Sequence, residues 1–155
     1  MYTAEEFDNL KTKILKYILY KKRTEQEIKQ KFNTVDSNIL ESAIEYLKQA
    51  GYINDNDYIK RAINEFMNLN NLSIKEIRFK LASKGLQQDL VDDYIYANKD
   101  ELLEYEITSA KKIFNKKIKN TDLEILKNYL YKKGYMEETI HIVLEGVKNG
   151  SEYCT

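Results

Sequence analysis

A chain of 155 residues, 43% of them hydrophobic, is long enough for one domain or for several small cores in a row, and the absence of proline lets long helices run uninterrupted. The 25 basic residues balance the 25 acidic ones, which argues against a protein whose main task is to neutralise phosphates along a duplex. A single cysteine, Cys154, excludes an internal disulfide and a thiolate metal cluster. The opening MYTAEEFDNL has no leader character and no stretch approaches a membrane span, so the expected location is cytoplasmic.

The first predicted helix starts at Thr3, where Thr3 and Glu6 have capping-box spacing, and runs to about Lys21 with Phe7, Leu10, Ile14, Tyr17 and Ile18 on one face. A second box, Thr24 with Glu27, opens a short helix bearing Ile28 and Phe32. A third helix carries Leu40, Ala43, Ile44 and Leu47 to Gly51, whose freedom at positive φ suits a helix end. Tyr52 and Ile53 supply apolar contacts at that turn, Asn54 or Asp55 can cap the next helix, and Asp57 suits its positive end.

That helix presents Ile59, Ala62, Ile63 and Phe66 before breaking at residues 68–72. Another box, Ser73 with Glu76, leads Ile77 and Leu81 to Gly85, and a sixth helix carries Leu90, Val91, Tyr94 and Ile95 toward Asn98. The seventh begins near Asp100 with Leu103, Ile107, Ala110 and Phe114 inward. A fourth box, Thr121 with Glu124, precedes Ile125 and Tyr129, and Gly134 ends that helix. The ninth turns Met136, Ile140, Val143, Leu144 and Val147 inward before Gly150.

Thr24, Ser73 and Thr121 lie 49 and 48 residues apart, each with Glu three and Ile four residues on, and self-similarity at such a period marks stacked supersecondary units. The expectation is an all-α fold of nine helices in three tandem three-helix repeats, residues 3–53, 54–98 and 99–150, with a tail at 151–155, forming an elongated, solenoid-like bundle.

Charge is segregated although its sum is zero: basic residues outnumber acidic ones 6 to 2 over residues 59–88, are outnumbered 1 to 7 over 89–106, and stand 5 to 0 over 107–120. A partner of mixed charge suits this pattern. Candidate contacts are Lys21, Lys22 and Arg23; Lys75, Arg78, Phe79 and Lys80; and Lys111, Lys112, Lys116 and Lys117. Phe79 points away from Ile74, Ile77 and Leu81 and lies among cations, a common recognition pattern, unless it packs on the next unit. The lysines after residue 110 follow Asp100, Glu101, Glu104 and Glu106 on one helix, a polarity that the helix dipole alone would favour. His141 falls off the apolar stripe and reads as a surface residue. No phosphate loop, metal-ligand pair or nucleophile signature appears, so neither an enzyme nor a cofactor is expected.

The run Leu47, Gly51, Tyr52, Ile53, Asp55 and Tyr58, with Ile74, Ile77, Leu81, Lys84, Gly85 and Leu86, resembles the RecX family of bacterial regulatory proteins. Leu19, Lys21, Arg23, Thr24, Glu27 and Ile28 match the same family's first unit, and Leu130, Gly134 and Tyr135 match its third more weakly. The resemblance implies a protein that binds the RecA recombinase filament and restrains its ATP hydrolysis and strand exchange in DNA repair and the SOS response. Its implied partners are the RecA filament and, mainly through RecA, single- or double-stranded DNA, with no membrane and a monomeric state. Two other classes fit the residues: a helical module contacting DNA phosphates directly, and a structural scaffold that binds neither.

Overall fold

The computed structural model describes the backbone of residues 1–150 and side chains as far as residue 146. Val147 and the tail with Cys154 therefore lie outside the described side chains. Among the described residues there are nine helices and no strand: α1 (Ala4–Tyr20), α2 (Glu25–Lys31), α3 (Ser37–Gln49), α4 (Asp55–Leu69), α5 (Ile74–Ser83), α6 (Gln88–Ala97), α7 (Lys99–Lys117), α8 (Leu123–Lys133) and α9 (Glu137–Gly150). No helix among them is long and apolar enough to cross a membrane.

The contacts group the chain into two compact units whose boundaries fall inside α4, α5 and α6. Unit 1 comprises residues 1–61 and 81–91, and unit 2 residues 62–80 and 92 onward. In unit 1, α1 packs on α3 through Leu10, Ile14, Ile18, Leu40, Ala43, Ile44 and Leu47, with Ile28 of α2 fully buried among them. In unit 2, α7 packs on α8 and α9 around Ala110, Phe114, Leu126, Leu130, Tyr135, Ile140 and Val143. Leu47, Ile77 and Leu81 are each about 1% exposed, as their periodicity requires.

The joint after α3 is a Schellman turn. Gly51 takes φ +86°, its N–H bonds to the Lys48 carbonyl, and the Tyr52 N–H bonds back to Leu47. Ile53 is buried there, whereas Tyr52, expected to pack at the turn, is half exposed. Asn54 caps α4 by accepting from the Asp57 N–H at 3.1 Å, which frees Asp55 to accept from the Glu25 N–H at 3.0 Å. Burial pushes the Asp55 carboxyl above the usual carboxylate range. Burial acts the same way on Glu25, but Lys48 and Lys29, 3.0 and 3.5 Å away, outweigh it and hold that carboxyl low.

A second kind of joint occurs twice, 49 residues apart. The Thr24 hydroxyl accepts from the Glu27 N–H as an N-cap and donates to the Lys84 carbonyl at 2.8 Å. Ser73 accepts from the Glu76 N–H and donates to the Lys133 carbonyl, also at 2.8 Å. Each acceptor carbonyl precedes a glycine at positive φ, Gly85 at +79° and Gly134 at +94°. In both joints an acidic residue accepts from the N–H just after the cap: Asp55 from Glu25, and Glu106 from Ile74 at 3.1 Å. A hydroxyl is needed at these caps because it both accepts and donates, which a carboxylate cannot do.

Three expectations are corrected. The cap of α8 is Asp122, which accepts from the Ile125 N–H at 2.9 Å, while the Thr121 hydroxyl is spent on the Lys117 carbonyl. The inward residues of α8 are accordingly Leu126 and Leu130, and Ile125 is 57% exposed with Tyr129 at 37%. With Asp122 the three caps fall at 24, 73 and 122, two equal steps of 49. On α7 the buried stripe runs through Leu102, Tyr105, Glu106, Ser109 and Ala110, so Leu103 and Ile107 are only half-buried. On α9, Ile140 and Val143 are buried, but Met136, which falls just before the helix, is exposed.

The polar residues of that α7 stripe are all used. The Tyr105 and Ser109 hydroxyls donate to the Leu72 carbonyl at 2.8 and 3.2 Å, so Tyr135 supplies the proton of its 2.6 Å contact with Ser109. Burial raises the Tyr135 phenol well above the usual tyrosine range, and Tyr105 in the same direction. A raised native pKa gives stability that is full below the unfolded value, about 10, and is lost as pH rises past it. Tyr135→Phe should therefore cost about 1 kcal/mol at neutral pH and flatten the loss of stability on the alkaline side. Urea midpoints at about pH 8 and pH 10.5 test this. An unchanged pH slope would place the alkaline sensitivity elsewhere.

Candidate partner-binding surface

A surface that binds a protein needs side chains that the fold does not already consume. In the first predicted cluster, Lys21 ends α1 in extended conformation with its side chain exposed. Lys22 is exposed too, 3.7 Å from Asp57. Arg23 is folded back: its guanidinium lies 4.4 Å from the Tyr17 ring centroid and 3.9 Å from Glu27, so it serves unit 1 itself. Beside this cluster, Leu19 and Tyr20 are 77% and 87% exposed at the end of α1.

On α5, in unit 2, Lys75, Arg78, Phe79 and Lys80 are all exposed. Phe79 is 78% exposed, which removes the alternative in which it packs on a neighbouring unit. Arg78 sits 3.4 Å from Asp92, a pair open to water and of little energetic consequence. The stem of Lys75 lies against the turn at Gly134, so only its ammonium end is available.

On α7, Lys111, Lys112 and Lys116 are exposed and Lys117 is half-buried. The Lys117 ammonium lies 4.2 Å from the Tyr129 ring centroid, and Lys133 approaches the same ring at 6.0 Å. Lys116, Lys117, Lys133 and Tyr129, with Asn71 and Asn120, line one concavity of about 500 Å³ in unit 2. Lys133, Tyr129 and Asn71 were not anticipated, because α8 and the turn before α5 reach the end of α7 only through tertiary folding.

The acidic residues preceding these lysines are not all a solvated face. Glu106 is fully buried, where it accepts from the N–H groups of Ile74 and Met136 and from the Thr139 hydroxyl. Asp100, Glu101 and Glu104 are exposed, as the dipole argument requires. His141 is exposed on α9, 3.2 Å from Glu145.

Sequence and structure comparisons bear on what this surface is for. The chain is 28% identical over 138 residues to the regulatory protein RecX of Staphylococcus carnosus, covering 86% of this chain and 52% of that one. It is 27% identical over 154 residues to the regulatory protein RecX of Clostridioides difficile, covering 96% and 73%. It thus spans about half the length of the staphylococcal relative. A crystal structure of RecX from Lactobacillus salivarius superposes with a TM-score of 0.80 at 22% identity, over 94% of this chain and 99% of that one. No family model matches.

Proposed function

As this chain belongs to the RecX family of regulatory proteins, we propose that it binds the RecA filament in the cytoplasm and restrains RecA's ATP hydrolysis and strand exchange during DNA repair. We further propose that residues 3–53, 54–98 and 99–150 act as three repeats, each presenting part of the binding surface. The observation that carries this reading is Phe79, 78% exposed between Arg78 and Lys80. Aromatic rings flanked by cations concentrate binding energy at protein interfaces, which is the use proposed for this one.

Lys21 and Lys22, the α5 set, and Lys111, Lys112, Lys116 and Lys117 then act as separate weak contacts on one extended partner. The zero net charge supports recognition of a protein surface carrying both signs over bare nucleic acid.

The experiment is RecA-dependent ATP hydrolysis on single-stranded DNA, titrated with Lys/Arg→Glu variants whose folding is checked by thermal melts. Reversing one cluster should weaken inhibition moderately. Reversing two should weaken it more than additively, because effective concentration is lost with the contact. Phe79→Ala should weaken it without lowering the melting temperature, since the ring is 78% exposed and alanine favours the helix. Full inhibition by every folded variant would overturn the reading.

A further inference from the structure

We propose that the outer face of α8 pairs with the same face of a second copy of this chain, two antiparallel helices setting Ile125 against Tyr129 and Asp122 against Lys132 across a two-fold axis. The inference is independent of the RecA reading, and it puts a weak dimer in place of the monomer that the family resemblance implies.

Three observations carry it, and the first is exposure. Ile125, Tyr129 and Lys132 fall within about 60° of arc on α8, and Asp122 caps its start, so the four form one stripe. Ile125 is 57% exposed and Tyr129 37%, with Asp122 and Lys132 exposed at either end, whereas Leu126 and Leu130 on the inward side are buried. The Lys117 ammonium, 4.2 Å from the Tyr129 centroid, already holds that ring in place, so an arriving partner has little left to order.

The second is the recurrence at 49 residues, which separates what the fold needs from what it does not. Steps of 49 and 98 back along the chain take Ile125 to Glu76 and Glu27, and Tyr129 to Lys80 and Lys31. Glu76 and Glu27 each accept, at 3.0 Å, from the N–H of the residue that caps their helix, Ser73 and Thr24. Isoleucine at this position gives up that bond and leaves an apolar side chain in water, two costs that packing within the chain does not offset. A face that is polar on α2 and α5 and apolar on α8 is therefore not imposed by helix packing.

The third is self-complementarity. An axis level with residue 127 lies midway between Ile125 and Tyr129 and also midway between Asp122 and Lys132, so one two-fold operation makes both pairings, each twice. The charge order selects this orientation, because parallel helices would set Asp122 against Asp122 and Lys132 against Lys132. A single helix face buries less than a standard interface, so the dimer is weak and forms only as concentration rises.

The test uses the full chain without RecA, in a Cys154→Ser background that excludes disulfide-linked pairs. Sedimentation velocity from about 10 to 500 μM, a range that covers weak pairing, should show a reversible shift from monomer to dimer. Ile125→Gln gives α8 the capping box that α2 has, so it should hold or raise the melting temperature while raising the dissociation constant about tenfold or more. Loss of pairing by a chain that is no less stable cannot come from misfolding. Lys132→Glu should also weaken pairing, by setting two carboxylates together. Asp122→Asn added to it keeps the cap and removes that repulsion, so the double variant should recover part of the loss. Tyr131→Gln, at a residue of α8 that is 70% exposed but off the stripe, is the control and should leave the constant unchanged. Monomer alone at every concentration, equal losses from Ile125→Gln and Tyr131→Gln, or no recovery on adding Asp122→Asn would each overturn the pairing.

Discussion

Glu106→Ala should lower the free energy of unfolding by about 3 to 5 kcal/mol, the range seen when a buried polar network loses its central member. Glu106 is 0% exposed on α7 and ties two other helices to it. One oxygen accepts from the Ile74 N–H at the start of α5, and the other from the Met136 N–H and the Thr139 hydroxyl at the start of α9. Helix starts carry orphan donors and positive potential, so an acceptor shared between two of them answers both needs at once. Alanine leaves three donors without a partner, and each buried orphan costs about 1 to 3 kcal/mol. Glu106→Gln should cost less, about 1 to 3 kcal/mol, because the amide oxygen still serves one helix and the Thr139 hydroxyl can turn to accept from the amide. Urea unfolding at neutral pH measures both. Equal costs for Ala and Gln would show that side-chain volume matters here and the acceptors do not.

Most of the helices were legible because apolar period and glycine punctuation are local. Leu47, Ile77 and Leu81 could be assigned to the core, and Gly51, Gly85 and Gly134 to helix ends, from spacing alone. What was not legible depended on partners far away in sequence. Glu106 looked like one more acidic residue at a helix start, because the donors it satisfies lie 32 and 30 residues away on either side.

The misplaced cap has the same origin. Thr24 and Ser73 are hydroxyl residues because each must also donate to a carbonyl 60 residues on. Asp122 accepts from the Ile125 N–H and no hydroxyl is required of it, so Ser/Thr spacing pointed one residue early, to Thr121. The candidate surface was readable as clusters but not as a shape. Arg23 is consumed by Tyr17 and Glu27, and Lys116 and Lys117 meet Lys133 and Tyr129 only through folding.

The three helix-ending glycines should respond unequally to alanine, in the order Gly51, Gly134, Gly85. All three sit at positive φ, between +79° and +94°, where a Cβ costs about 1 to 2 kcal/mol whatever surrounds it. At Gly51 nothing lies within 4 Å of an added Cβ, so Gly51→Ala should cost that amount and no more. At Gly134 the new carbon would meet Lys75 Cβ and Cδ at 2.9 Å, a contact that the lysine relieves in part by shifting. At Gly85 it would meet Gln26 Cγ at 2.4 Å and Cβ at 2.5 Å, and a Cβ moves only with its backbone. Overpacking of this kind adds about 1 to 3 kcal/mol, so Gly85→Ala should cost about 2 to 5 kcal/mol in all. Part of that loss falls on the Thr24 bond to the Lys84 carbonyl, which stands one residue from the new side chain. Adding Gln26→Gly should recover the overlap but not the backbone strain, making the double variant more stable than the sum of the two single changes predicts. Urea midpoints of the three alanine variants and the double variant decide it. Equal costs at all three glycines would mean that the α2 to Gly85 joint yields freely and the left-handed backbone alone sets the loss.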